Sequence, residues 1–184
     1  MKTISVFVGP SGVGKTSICR AVASLIPNGK EIVSTTSRAP RPGEVDGVDY
    51  IFLSKSEAQS KLDNGEYIEY VVYDGNIYGF LKESFEAEGN LMLVAERHGL
   101  SQLQKLFDPS EIQSILVLPP GLDALEARLR SRSEVQDEAL IERRLAKAEE
   151  EIFDGILDFD HIIMNRDLEH SIKLASFMVM NFGY

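Results

Sequence analysis

Gly9-Pro10-Ser11-Gly12-Val13-Gly14-Lys15-Thr16 constrains this chain more tightly than any other stretch in it. The run fits G-x-x-x-x-G-K-[ST] in full. An apolar segment, Ile4-Ser5-Val6-Phe7-Val8, precedes it, and a helix-like stretch from Lys15 to Leu25 follows. That is the strand–loop–helix context a phosphate-binding loop requires. Gly12 and Gly14 permit a turn tight enough for successive N–H groups to converge on one anion. The helix N-terminus adds its partial positive charge. Lys15 is spaced to reach β- and γ-phosphates. The Thr16 hydroxyl suits Mg²⁺, which keeps several waters and takes few protein ligands. Gly9, Ser11, Gly12, Val13, Gly14, Lys15 and Thr16 are therefore the expected site for a nucleoside triphosphate, with Thr16 on the metal. Such a loop leaves the reaction itself open.

Composition narrows the remaining classes. A chain of 184 residues, 43% hydrophobic and 26% charged, has the make-up of an ordinary globular protein of about one domain. It is too apolar to be disordered. The net charge of −10 at pH 7 excludes a general nucleic-acid binder, so any anion site must be local. Cys19 is the only cysteine, which excludes a disulfide scaffold. His98, His161 and His170 lack metal-ligand spacing. The apolar start is too short for a signal peptide, and no run approaches the ~20 residues of a membrane span. The expectation is a reduced, soluble, cytoplasmic protein.

Further apolar runs are Leu91–Ala95, Ile112–Leu118 and His161–Met164, each bounded by turn or polar residues. Together with Ile4–Val8 they read as strands buried on both faces, as in a parallel sheet. Helical patterns lie between them, at Lys15–Leu25 (stopped by Pro27-Asn28-Gly29), Leu100–Phe107 and from Leu122 onward, with Ser171–Met180 at the end. The alternation predicts an α/β fold. Two segments depart from it: ~34–80, rich in Gly, Pro and Tyr, reads as an inserted β-rich module, and ~122–150 as a charged, Arg-rich helical segment.

Both segments carry candidate anion ligands. In Arg38-Ala39-Pro40-Arg41-Pro42-Gly43, the prolines favour polyproline II geometry, with three residues per turn. Arg38 and Arg41 then point the same way and offer two guanidinium forks to one phosphate, with Tyr50 and Tyr78 as phenol donors. An exposed basic loop is the alternative. In the helical segment, Arg130 has Glu126 and Glu134 at i±4, and Lys147 has Glu150 and Glu151, so both read as solvated salt-bridge residues. Arg128, Arg132 and Arg144 lack such partners. They fit a mobile cationic lid over a transferring phosphoryl group, or a solvated helix. Glu96, at the end of a parallel strand, faces the ligand crevice and suits a metal-bound water or a substrate hydroxyl, or caps the strand as a surface acid.

The chain resembles guanylate kinase from end to end. Gly9 to Ser17 is similar to that family's opening loop, which adds Ser17 to the triphosphate site. The run Val33-Ser34-Thr35-Thr36-Ser37-Arg38-Ala39-Pro40-Arg41-Pro42-Gly43-Glu44, with Gly47-Val48-Asp49-Tyr50, is similar to its acceptor-binding signature. Glu66-Tyr67-Ile68-Glu69-Tyr70, Gly75-Asn76-Ile77-Tyr78-Gly79, Pro119-Pro120, Arg128-Leu129, Arg132, Arg144-Leu145 and Asn165-Arg166-Asp167-Leu168 also match. The resemblance implies a P-loop NTPase three-layer fold around a central parallel sheet. Its core would be 1–32, 81–121 and 150–184, its acceptor module 33–80 and its helical lid 122–149. It implies ATP and Mg²⁺, phosphoryl transfer to GMP (and dGMP), and no polymer or membrane partner. Arg38, Arg41, Tyr50 and Tyr78 would hold the acceptor phosphate, Ser34 and Glu69 would read guanine, and Glu96 would complete the acceptor site. Lys15, Arg128, Arg132 and Arg144 would be catalytic, and Asn165 would lie near adenine. Phe80 stands where the family has Ser or Thr, Val94-Ala95-Glu96 where it has Asp-x-Asp, and His98-Gly99 where it has Gln-Gly. These departures keep two alternatives open: a kinase with a shifted acceptor, and a non-catalytic module that binds phosphopeptides.

Overall fold

A computed structural model describes residues 2–132, 138–153 and 158–183. A central five-stranded sheet runs in the order β2 (Gly29–Glu31), β7 (Asn90–Val94), β1 (Thr3–Val8), β8 (Ile112–Leu118), β9 (His161–Met164), with every pairing parallel. Alternation along β1 divides the core into two layers. Phe7 packs with Ile18, Val22, Ile115, Val117, Ala175 and Val179 on one face, and Ile4, Val6 and Val8 pack with Leu91, Leu93, Leu100 and Leu103 on the other. α1 (Lys15–Leu25) and α6 (Leu168–Met180) cover the first face, and α3 (Arg97–Leu103) contributes to the second. Near-continuous apolar strands between two helical layers are what a parallel sheet requires. The expected α/β frame around a parallel sheet is observed.

A second, four-stranded sheet has the order β4 (Ile51–Phe52), β3 (Thr35–Thr36), β6 (Asn76–Leu81), β5 (Tyr67–Tyr73). β5 and β6 form an antiparallel hairpin around Asp74-Gly75, both at positive φ. Positive φ at both central residues suits the twist of a tight hairpin. A register shift between Tyr67 and Glu69 bends β5, a device that re-aims side chains near functional sites. This region is not wholly β: α2 (Lys55–Asp63) lies within it, started by a capping box between Ser54 and Glu57. The charged segment forms two helices, α4 (Leu122–Arg132) and α5 (Glu138–Phe153).

Some expected boundaries move. β2 follows the Pro27-Asn28-Gly29 turn as a short edge strand that the sequence reading passes over. α3 begins at Arg97, three residues before Leu100, and ends at Leu103, where 3₁₀-type bonds (Lys105 N–H to Gln102 O, 3.2 Å; Leu106 N–H to Leu103 O, 2.9 Å) lead the chain out of the helix. α6 begins at Leu168 because the Asp167 side chain accepts from the His170 N–H at 2.7 Å and caps it there. Among the described residues no helix is long and apolar enough to cross a membrane.

Candidate active site

The phosphate loop leaves β1 and enters α1 under close steric control. Gly9 has φ +139°, and a Cβ there would sit 2.2 Å from the Val117 carbonyl oxygen. Gly14, in the left-handed region at φ +100°, has the Asn165 Nδ2 2.7 Å from where its Cβ would be. The loop is thus clamped between β8 and the end of β9. The Lys15 ammonium donates to the Gly9 and Pro10 carbonyls at 2.6 and 2.9 Å, which folds it back over the loop.

Asn165 is buried. Its Nδ2 donates to the Val13 carbonyl at 2.7 Å, and its Oδ1 accepts from the Ser171 hydroxyl at 3.0 Å. Arg128 joins the same brace, donating to Val13 O (3.3 Å) and Asn165 O (2.8 Å). The structure therefore places both residues behind the loop, where they hold its backbone. Arg132 ends α4, and its side chain lies outside the described residues. Arg130 pairs with Glu126, as its spacing predicts, and with Glu138 on α5, at 2.7 and 2.6 Å. Glu134, the other expected partner, lies outside the described residues.

A cavity of about 460 Å³ opens above the loop. Gly9, Ser11, Gly12, Gly14, Lys15 and Thr16 line one side and Arg144 and Lys147 of α5 the other. Val13 is fully buried beneath it, with Ser17 next in α1. Lys147 reaches Glu151 at 3.4 Å and, across the cavity, Glu96 at 3.5 Å, instead of the expected Glu150. Glu96 precedes α3 without capping it through its side chain.

A second cavity, of about 350 Å³, lies against the small sheet. Glu69, Val71 and Tyr73 alternate along β5 on its wall, with Tyr78 and Phe80 of β6 and Ser34 beside them. Phe80 contributes an apolar wall, its ring packed edge-on to Phe85 at 6.2 Å within the core. Glu69 is held against Gly99, whose absent Cβ would lie 3.2 Å from the carboxyl carbon. A larger residue at 99 would push the carboxylate away, which explains a glycine in the first turn of α3. Burial, and then the Glu96 charge, push the Glu69 carboxyl above its ordinary range.

On the acceptor side one arginine fork is already filled. Arg38 grips Glu44 with both guanidinium nitrogens at 2.9 Å, and the Arg41 N–H donates to the same carboxylate at 2.7 Å. The Arg38 fork stands 5.3 Å over the Tyr50 ring, and Tyr50 meets Tyr78 edge-on at 6.1 Å. Burial pushes the Tyr50 phenol up, while the Arg38 and Arg41 charges pull it back. A planar fork made for two oxygens is thus present, with a carboxylate seated in it.

The two cavities share Tyr50, Val94, Ala95, Glu96 and His98. One wall therefore separates a triphosphate loop from a pocket lined by phenols and a carboxylate. The family model for guanylate kinase matches residues 1–180.

The chain belongs to the guanylate kinase family.

Its curated relatives agree. The guanylate kinase of Synechococcus elongatus is 39% identical over 173 residues, 92% of each chain. That of Chlorobium luteolum is 38% identical over 182 residues, 96% of this chain and 90% of the relative. Among solved structures, the guanylate kinase of Anaplasma phagocytophilum matches with a TM-score of 0.71 at 26% identity, over 97% of this chain and 85% of that one. A shikimate kinase from Bacteroides thetaiotaomicron, 13% identical with a TM-score of 0.50, shares the fold.

Within this guanylate kinase frame, His98, Lys147, Val71 and Tyr73 are wall residues absent from the site expected from sequence. Val71 and Tyr73 were legible as the i+2 and i+4 companions of Glu69 on one strand face. Lys147 was hidden by its helical carboxylate neighbours, because pairing along a helix says nothing about a partner across a cleft.

Proposed function

We propose that this protein transfers the γ-phosphoryl group of ATP to GMP, giving ADP and GDP, a step of purine nucleotide metabolism. The single wall shared by the phosphate-loop cavity and the Glu69 cavity carries this reading, because in-line transfer needs donor and acceptor held end to end. Residues 33–80 act as the acceptor module and 122–149 as the lid on a core of 1–32, 81–121 and 150–184.

The roles follow from charge and hydrogen-bonding capacity. Loop N–H groups and Lys15 hold the donor phosphates, Lys15 exchanging its carbonyl partners for phosphate oxygens. Arg144, from across the cavity, offsets charge on the transferring group. Arg38 and Arg41 hold the acceptor phosphate with Tyr50 and Tyr78, the phosphate displacing Glu44 from the Arg38 fork. Glu69 reads guanine, since one carboxylate accepts from both N–H donors on that edge, which adenine cannot offer. Arg128 and Asn165 act by holding the loop in its binding shape.

Thr16 fits a Mg²⁺ site. Among the described residues no cluster of three or more His, Cys, Asp or Glu is placed to hold a metal. Thr16 lines the loop cavity, and a hydroxyl there suits an ion that brings phosphate and water ligands with it. Bound there, the ion would neutralise charge on the phosphates. No protein base is needed, because the attacking phosphate oxygen is already largely ionised.

Lys15→Ala tests the donor side. ADP formation from ATP and GMP should fall to background while the variant keeps its fold by circular dichroism. Near-normal turnover in that folded variant would refute the assignment.

A further inference from the structure

We propose that Arg20, on the helix that follows the phosphate loop, is a positioning residue for the acceptor phosphate pocket. The inference rests on the acceptor reading above. Arg20 lies on α1, one helical turn and a half beyond Lys15. Its Nε donates to Glu31 at the end of β2 (3.1 Å). Its Nη2 donates to the Val48 carbonyl (2.8 Å) and stands 3.7 Å from the Asp49 carboxylate. One planar fork thus joins the nucleotide-binding layer to the segment that delivers Tyr50. Glu31 fixes the guanidinium from the sheet side, so its other edge is already aimed at the loop.

At its two ends the loop is tied to the small sheet, by Glu44 in the Arg38 fork and by the Ile51 N–H to Ser34 O bond (2.9 Å), while Arg20 ties its middle to the nucleotide-binding layer. Val45 and Val48 are 55% and 42% exposed, and a Cβ on Gly43 or Gly47 would meet open space. Its own hydrogen bonds make it a stiff unit: Val45 N–H to Asp49 Oδ2 (2.9 Å), Asp49 N–H to Val45 O (2.9 Å), Gly47 N–H to Tyr50 O (2.8 Å). A stiff loop tied to the small sheet at its ends and to α1 in its middle shifts relative to α1 when the middle tie is released. Its far end is Tyr50, which lines both cavities and carries the Arg38 fork on its ring. Release of Arg20 therefore lets Tyr50, with the Arg38 fork on its ring, shift relative to α1 and the phosphate loop. The Arg20 pairs are partly exposed, with the arginine side chain at 38%. Such pairs contribute little to global stability, so the consequence belongs to geometry.

The test compares Arg20→Ala, Arg20→Lys, Tyr50→Phe and the Arg20→Ala/Tyr50→Phe double variant in steady-state kinetics, with thermal midpoints measured alongside. Arg20→Ala should raise the KM for GMP about tenfold, the ratio carried by one charge-assisted hydrogen bond. The KM for ATP and the thermal midpoint should stay near wild type. Arg20→Lys keeps the charge but not the fork, and should fall between. Because Arg20 acts through Tyr50, the double variant should lose less than the product of the single losses. An unchanged KM for GMP in Arg20→Ala, a parallel rise in both KM values with a lowered midpoint, or multiplicative losses would each overturn the inference. If wild type uses GMP and Arg20→Ala matches it, only the inference falls. If wild type neither binds nor phosphorylates GMP, the functional reading falls and takes the inference with it.

Discussion

Two effects push the Glu69 carboxyl toward its neutral form. Its carboxylate is half-buried against Gly99, with Glu96 as a like charge on the same cavity wall and His98 beside it. Both burial and repulsion favour the protonated form, so its pKa in the fold lies above that of the unfolded chain. Between those two values the folded state binds more protons, and stability falls as pH rises through that window. At neutral pH the ionised carboxylate therefore opposes folding. Glu69→Gln should raise the thermal midpoint at pH 7, and the gain should shrink as pH falls below the window. Thermal scans across pH measure this, and an equal midpoint for both proteins at pH 7 would count against the burial argument. The same shift acts on binding with opposite consequence. Only the ionised group accepts from two N–H donors, so the KM for GMP should climb as pH falls, beginning at a higher pH than an ordinary glutamate would give. A KM for GMP that stays flat across that range would speak against Glu69 as the base reader.

At the scale of the element, the loop between β1 and α1 works because its neighbours leave no slack. Gly14→Ala puts a Cβ 2.7 Å from Asn165 Nδ2 and forces a side chain into φ +100°. Both costs fall on the brace that Asn165 and Arg128 make to Val13. Calorimetric titration should find ATP affinity lost in this variant, and an ATP affinity equal to wild type would show that the brace does not shape the loop. The start of α2 gives a contrasting case. Ser54→Ala removes the capping-box acceptor of a residue that lines neither described cavity and should cost about 1 kcal/mol in denaturant unfolding, with no change in either KM.

These elements also show what a sequence can reveal. The loop, the buried strands and α1 were legible because each has a local cause: glycine spacing, continuous apolar runs and a phosphate-loop register. β2 was not, since a short edge strand of Gly29, Lys30 and Glu31 has no apolar pattern and forms only because β7 lies alongside. The start of α3 was equally hidden, because Gly99 is tolerated in the helix for a contact with Glu69, thirty positions away in the chain. The Arg38–Glu44 fork and the Lys147–Glu96 pair are likewise tertiary facts.

Across the whole molecule, two cavities with opposite chemical demands meet along one wall. Cations and backbone N–H groups define the donor side, and Glu69, among phenols, His98 and apolar walls, marks the other. In a chain of net charge −10, phosphate binding has to rely on local dipoles and a few placed cations, not on a general positive field. Phe80, Val94 and Ala95 line the acceptor cavity without a side-chain donor or acceptor. Under the proposed function, guanine selection is assigned to Glu69 with Ser34. The direct measurement of that claim is ADP formation from ATP and Mg²⁺ with GMP, dGMP, AMP, CMP and UMP offered one at a time. Turnover confined to GMP and dGMP is the expected result. Turnover with AMP or a pyrimidine nucleotide, or none with any acceptor while ATP still binds, would contradict it.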